Sequence, residues 1–130
     1  MTEIPELMDI YHFKCDNEGR QCSLSNKWHY FIICSEKEYN KGSTHVVGVP
    51  ITSEITYYSL NYGSDITNEM LTLPFLDKKS FVLQDRPCRI NKNDLRIKKS
   101  GVHPKIYKNI IKNISGFLEG QNIKDKNLMS

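Results

Sequence analysis

Along the chain, short apolar runs alternate with polar turns, and one segment at helical spacing closes the pattern. Asp9-Ile10-Tyr11-His12-Phe13 is the first run with strand propensity, and Trp28 to Cys34 is the second. The second holds the near-continuous apolar stretch Tyr30-Phe31-Ile32-Ile33-Cys34, which predicts a strand buried on both faces. Between them, the polar run Cys15 to Lys27 reads as a long loop. Ser35 to Thr44 is charged and carries Asn40-Lys41-Gly42-Ser43, so the chain turns back there. His45 to Val49 is a third strand ended by Pro50-Ile51-Thr52-Ser53, and its Gly48 predicts a close backbone neighbour or a bend.

From Glu54 to Lys79 the alternation fades. Ile55-Thr56-Tyr57-Tyr58 and Leu71-Thr72-Leu73 read as strands flanking a polar excursion through Asn61 to Asp65. Ser80 to Leu95 is better defined. Phe81-Val82-Leu83 is a strand, Asp85-Arg86-Pro87 a charged kink where proline cannot join a ladder, and Cys88-Arg89-Ile90 a second strand closing on Asn91 to Asp94. A small barrel turns a corner this way and exposes side chains at its rim.

A helix is predicted over about 104–119. It starts at Pro104, where the missing N–H costs nothing, and sets Ile106, Ile110, Ile114, Phe117 and Leu118 on one face, with Gly120 just past its end. Residues 1–8 read as a loose leader and 121–130 as a frayed tail. Short strands over about 9–95 followed by one helix predict a mainly β (α+β) chain, a small, strongly curved barrel with a C-terminal helix.

Composition changes this picture little. A chain of 130 residues fits a single domain, residues 1–130. The formal net charge of +3 is too mild to name a partner, but its distribution is uneven: Arg86 to Lys112 holds nine Lys and Arg residues against one acid, Asp94. Such a block is either a solvated face or the footprint of a polyanion. Cys15, Cys22, Cys34 and Cys88 show no C-x-x-C spacing and follow no signal-like region, so a cytoplasmic location with reduced thiols is expected. Cys15, Cys22 and His12 match no common zinc spacing, and no metal or cofactor is expected. No apolar run nears the roughly 18 residues that span a membrane.

Two blocks resemble the MazF/PemK (Kid) toxins of bacterial toxin–antitoxin modules. The first runs Tyr30-Phe31-Ile32-Ile33-Cys34-Ser35, Tyr39-Asn40-Lys41 and Val46 to Ser53, similar to that family's strand, its Phe-Asn-Arg-like turn and its Pro-Ile-Thr-Ser strand end. The second is Ser80 to Leu95, similar to Ser-Val-Val-Leu-x-Asp-Gln-x-Arg-Thr-Ile-Asp-Lys-x-Arg-Leu. Asp9-Ile10-Tyr11 and the helix from Pro104 resemble the opening and closing elements. The resemblance implies an SH3-like barrel, commonly a homodimer, that cuts single-stranded RNA and is silenced by a cognate antitoxin.

The departures from that pattern are as informative. The family's Arg-Pro entering the second strand is replaced by Lys27-Trp28-His29-Tyr30. Counting back from Pro50-Ile51-Thr52 puts His29 on the arginine position, whereas counting forward from Asp9 favours Lys27. A second arginine, two residues before the aspartate in some members, is Leu83 here. Asp85 is kept, with Arg86 where glutamine is usual.

RNA carries its own nucleophile, the 2′-hydroxyl. A metal-free nuclease therefore needs a base, an acid for the leaving 5′-oxygen, and a donor or cation for the phosphate. The catalytic candidates are His29 for proton transfer, Thr52 as hydroxyl donor, Arg86 as cation and Asp85 as base or orienting group. Ser53 and Arg89 join Lys27, Trp28, Tyr57 and Tyr58 as RNA-binding candidates, the aromatics by stacking on unpaired bases. Each has a plainer alternative: a packed histidine, a surface ion pair, core or dimer aromatics. Loss of both arginine positions also leaves open a catalytically silent barrel that binds a protein, as in the related CcdB toxins. The apolar strand and the tyrosines predict a homodimer, and the resemblance implies that pairing lines basic residues such as Arg86 and Arg89 of both subunits along one channel.

Overall fold

The structure, a computed structural model, describes residues 3–14, 28–121 and 127–129, with Lys14 and Trp28 described by backbone alone. In chain order the elements are β1 (Asp9–Lys14), β2 (Trp28–Ile33), α1 (Lys37–Gly42), β3 (His45–Thr52), α2 (Tyr57–Tyr62), β4 (Gly63–Ile66), β5 (Ser80–Leu83), β6 (Cys88–Asn91), β7 (Leu95–Gly101) and α3 (Pro104–Leu118). The seven strands form one sheet in the order β4-β5-β3-β2-β1-β7, with β6 also paired to β3. Every pairing among these strands is antiparallel. The expected fold class, a curved β-structure with a C-terminal helix, is the one observed.

The period of two along β1 to β3 divides the core in two. Ile10, Ile32, Val49 and Ile51 face α3 and meet Ile106, Ile110 and Ile114. The intervening residues Tyr11, Phe13, Phe31, Ile33 and Val46 form a second cluster with Ile90 and Leu95. Phe31, Ile32 and Ile33 are all fully buried, so β2 is enclosed on both faces as its apolar run predicts. Each buried isoleucine of α3 contributes about 1.5–3 kcal/mol. Leu118 departs from its expected place on that face: it is 69% exposed, beyond the reach of the sheet. Gly120, at φ +85°, takes the left-handed position that ends the helix.

Gly48 answers to the close approach expected of it. A Cβ there would lie 2.0 Å from the Ile32 carbonyl oxygen and 2.6 Å from the Phe31 ring. Beside it, β5 and β6 share one edge of β3. Val82 pairs with Ile51, so an unbroken ladder would set Asp85 opposite Gly48; Cys88 stands there instead, and three residues are looped out. Asp85, Arg86 and Pro87 are that kink. The buried Gln84 anchors it: Nε2 donates to Ser64 Oγ at 2.6 Å, and Oε1 accepts from Asn113 Nδ2 on α3.

Four expectations need correction. Tyr57 and Tyr58 lie in helix α2, not a strand, because a capping box forms: Thr56 Oγ1 accepts from Ser59 N at 3.2 Å and Ser59 Oγ from Thr56 N at 2.8 Å. Leu71 to Leu73 form only an isolated bridge, Leu71 to Val102. The strands run past Leu95, since β7 pairs with β1. Asn127–Met129 pack onto the protein, with Leu128 buried and its carbonyl accepting from Asn109 Nδ2 at 2.8 Å, so this part of the tail is not frayed.

Candidate functional site

The site is built by register. Tyr30 on β2 pairs with Ile51 on β3, and one step further the same register sets His29 alongside Thr52. On the other side Thr52 pairs with Phe81 of β5. A cleft of about 190 Å³ opens at this strand end, lined by His29, Tyr30, Ile51, Thr52, Ser53, Leu76, Asp77, Lys78 and Ser80. His29 is 6% and Thr52 5% exposed, so both are fixed in the wall, and the His29 ring is tilted against Phe13 with centroids 6.1 Å apart. Thr52 Oγ1 accepts from Glu54 N at 3.1 Å, which leaves its proton available to a ligand oxygen.

The opposite wall is the segment between Met70 and β5, held at several points. Ser100 Oγ accepts from Leu73 N at 2.9 Å and donates to Leu73 O at 2.8 Å. Phe75 packs edge-on against Tyr30 at 4.6 Å. Asn68 Oδ1 accepts from Phe75 N and Leu76 N at 3.1 and 2.9 Å, while its Nδ2 donates to Leu76 O at 2.9 Å. Leu76, Asp77 and Lys78 were not among the sequence candidates; the one signal for them is their place just before the strand that pairs with Thr52.

The remaining candidates gather elsewhere. Asp85 and Arg86 sit in the kink at the far end of β5, outside the lining of the cleft. Arg86 Nε is 3.8 Å from Asp85 Oδ2, and its guanidinium carbon lies 5.2 Å from the centroid of the Tyr58 ring. Asp85 Oδ1 is buried with no hydrogen-bond partner among the described residues. Burial holds this carboxyl above the ordinary aspartate value, and Arg86 opposes that only in part. The exposed Tyr57 and Tyr58 form an aromatic group with the half-buried Tyr62 and Phe117. Arg89 is exposed on β6 opposite Val47. Trp28 opens β2. Lys27, Cys15 and Cys22 lie outside the described residues.

The basic block is not one open face. Lys98 pairs with Asp9 at 3.3 Å, Lys92 Nζ donates to Asn40 O at 2.7 Å, and Arg86 is held as above. Asn40 itself is a structural hub. Fully buried, it donates through Nδ2 to Pro5 O at 2.9 Å and Ser35 O at 2.8 Å, and its Oδ1 accepts from Ser35 Oγ.

No family model and no curated protein matches the sequence. Solved structures do match in fold. A MazE-MazF complex from Deinococcus radiodurans aligns with TM-score 0.67 at 12% identity, over 92% of this chain and 99% of that one. Toxin MazF-mt6 of Mycobacterium tuberculosis aligns with TM-score 0.59 at 16% identity, over 87% and 97%. An endoribonuclease in complex with its cognate antitoxin, from Mycobacterial species, aligns with TM-score 0.61 at 17% identity, over 93% and 97%. The chain has the MazF fold. Within this fold the Thr52-Ser53 strand end meets His29, and Asn40 of Tyr39-Asn40-Lys41 belongs to the scaffold while Tyr39 and Lys41 are exposed. No helix among the described residues is long and apolar enough to cross a membrane.

Proposed function

We propose that this protein is a growth-inhibiting toxin that cuts single-stranded RNA at selected sequences, without a metal, and is silenced by a protein antitoxin. The observation that carries the reading is the cross-strand placement of His29 beside Thr52 in one cleft of a MazF fold. His29 takes the 2′-hydroxyl proton or returns one to the leaving 5′-oxygen. The Thr52 and Ser53 hydroxyls donate to the phosphate as its charge grows. The kink supports a second role: Tyr58 and Tyr57, beside the Arg86 cation, stack on bases flanking the cut, with Asp85 orienting Arg86 and Arg89 extending the basic track. Trp28, which opens β2, and Lys27, which precedes it in the sequence, are the remaining proposed RNA-binding residues.

An antitoxin partner is supported by solved structures that share this fold, among them a MazE-MazF complex and an endoribonuclease with its cognate antitoxin. Ile55, Leu60 and Leu118 are large and exposed, which supports pairing into a homodimer; a cytoplasmic location is part of the same proposal.

The test is incubation of purified protein with long single-stranded RNAs in EDTA, with the ends mapped. Cleavage at recurring sequences is expected. Intact RNA across many sequences, with growth inhibition persisting in cells, would replace this reading with that of a silent barrel acting on a protein; the engagement of Arg86 by Tyr58 and Asp85, outside the cleft, is what favours that alternative.

A further inference from the structure

We infer that Lys78 is the cation that binds the substrate phosphate in the His29–Thr52 cleft. The inference rests on the RNA-cleavage reading and names a residue that the motifs of the sequence do not single out. A phosphodiester carries a full negative charge, and hydroxyls and one histidine neutralise it only in part. Lys78 is the Lys or Arg among the described residues that lines this cleft. Arg86 is committed to Tyr58 and Asp85, and the Lys79 ammonium lies 5.7 Å from the Phe81 ring centroid.

Position and rigidity point the same way. Lys78 is exposed, so its ammonium is not lost to the core. Its backbone is fixed, because the clasp of Asn68 on Leu76 lies just before it and its own carbonyl accepts from Ser80 Oγ at 3.0 Å. A pinned backbone presents the side chain to the cleft at a smaller ordering cost than a free loop would.

Lys78 also lines a second cleft of about 480 Å³, floored by Asp65, Ile66, Thr67 and Asn68. The two clefts share Leu76, Asp77, Lys78 and Ser80. A strand of RNA occupying both clefts passes Lys78, which lines each of them.

The experiment uses the full chain and a 2′-O-methylated RNA oligonucleotide containing the mapped cleavage sequence, which binds but is not cut. Affinity is followed by fluorescence anisotropy across salt, and cleavage of the unmodified RNA is measured in parallel. Lys78→Ala is expected to weaken binding about tenfold and to flatten the log–log salt dependence by about 0.7, the loss of one phosphate contact on a single strand. Lys78→Arg should restore both, and Lys37→Ala, at an exposed lysine that pairs with Glu6 at 3.8 Å and lines neither cleft, should change neither. Wild-type protein that cuts the RNA while Lys78→Ala keeps the full salt slope and KM overturns the assignment and leaves the nuclease reading standing. Wild-type protein that neither binds nor cuts RNA overturns both. Lys78 is exposed, and thermal melts check that each variant is folded.

Discussion

The guanidinium of Arg86 lies over the ring of Tyr58, 5.2 Å from its centroid, and so belongs to the kink after β5 rather than to the cleft that holds His29. This separation splits the proposed machinery into a cutting cleft and a stacking platform. Removing Tyr58 or Arg86 should therefore raise KM by about 5- to 100-fold, the range of a lost base stack, and move kcat by less than about threefold. Steady-state cleavage of one short RNA by Tyr58→Ala and Arg86→Ala checks this; a kcat collapse with unchanged KM would place Arg86 at the reacting phosphate.

Asp85 should cost stability at neutral pH. Its folded-state pKa is raised by burial, so its favourable contribution is complete below the unfolded value, about pH 4, and is lost as pH rises through the folded value. Asp85→Asn should accordingly raise Tm at pH 7, with the gain vanishing below about pH 4. Thermal melts of both proteins across that range read the sign directly.

His12 has the opposite dependence. Burial first, then the charges of Lys99 and His29, hold its pKa below the ordinary imidazole value. The unfolded chain then binds the proton more readily. Stability is present above about pH 6.5 and falls as pH drops through the folded value. His12→Gln should flatten the decline in Tm between about pH 7 and pH 5.

Gly48→Ala should be among the most damaging small substitutions, because the new Cβ meets the Ile32 carbonyl at 2.0 Å, a backbone atom in a central strand. A cost of about 3 kcal/mol or more is expected from such overpacking, lowering Tm by roughly 10 °C in a chain of this size. Circular dichroism melts test it.

The sequence made some elements readable and hid others for physical reasons. In β1 to β3 and α3 the burial pattern is carried by the elements' own residues, as in Phe31-Ile32-Ile33 and in Ile106, Ile110 and Ile114. β7 hid because its inward positions are filled sparingly: Leu95 and Ser100 are buried while Ile97 is 66% exposed. β4, written Gly63-Ser64-Asp65-Ile66, has poor strand propensity and is held by its ladder to β5. In α2 the cap between Thr56 and Ser59 outweighs the strand propensity of Tyr57 and Tyr58. His29, Thr52 and Ser53 were legible because the strand-end motif Pro50-Ile51-Thr52-Ser53 and the count back from it single them out, and the β2–β3 register then sets His29 beside Thr52. Lys78 was not, because it reaches the cleft through a clasp formed by Asn68 across a turn, which no local motif announces.

The most direct test of the cutting cleft is the single-turnover cleavage rate of His29→Gln and Thr52→Ala beside wild type, on one RNA in EDTA, with melts confirming the fold. Loss of the proton-transfer group predicts a fall of about 10²- to 10⁴-fold for His29→Gln, and loss of the phosphate donor a fall of about 10²-fold or more for Thr52→Ala. Folded variants that cut at the wild-type rate would contradict the assignment of RNA cleavage to this cleft.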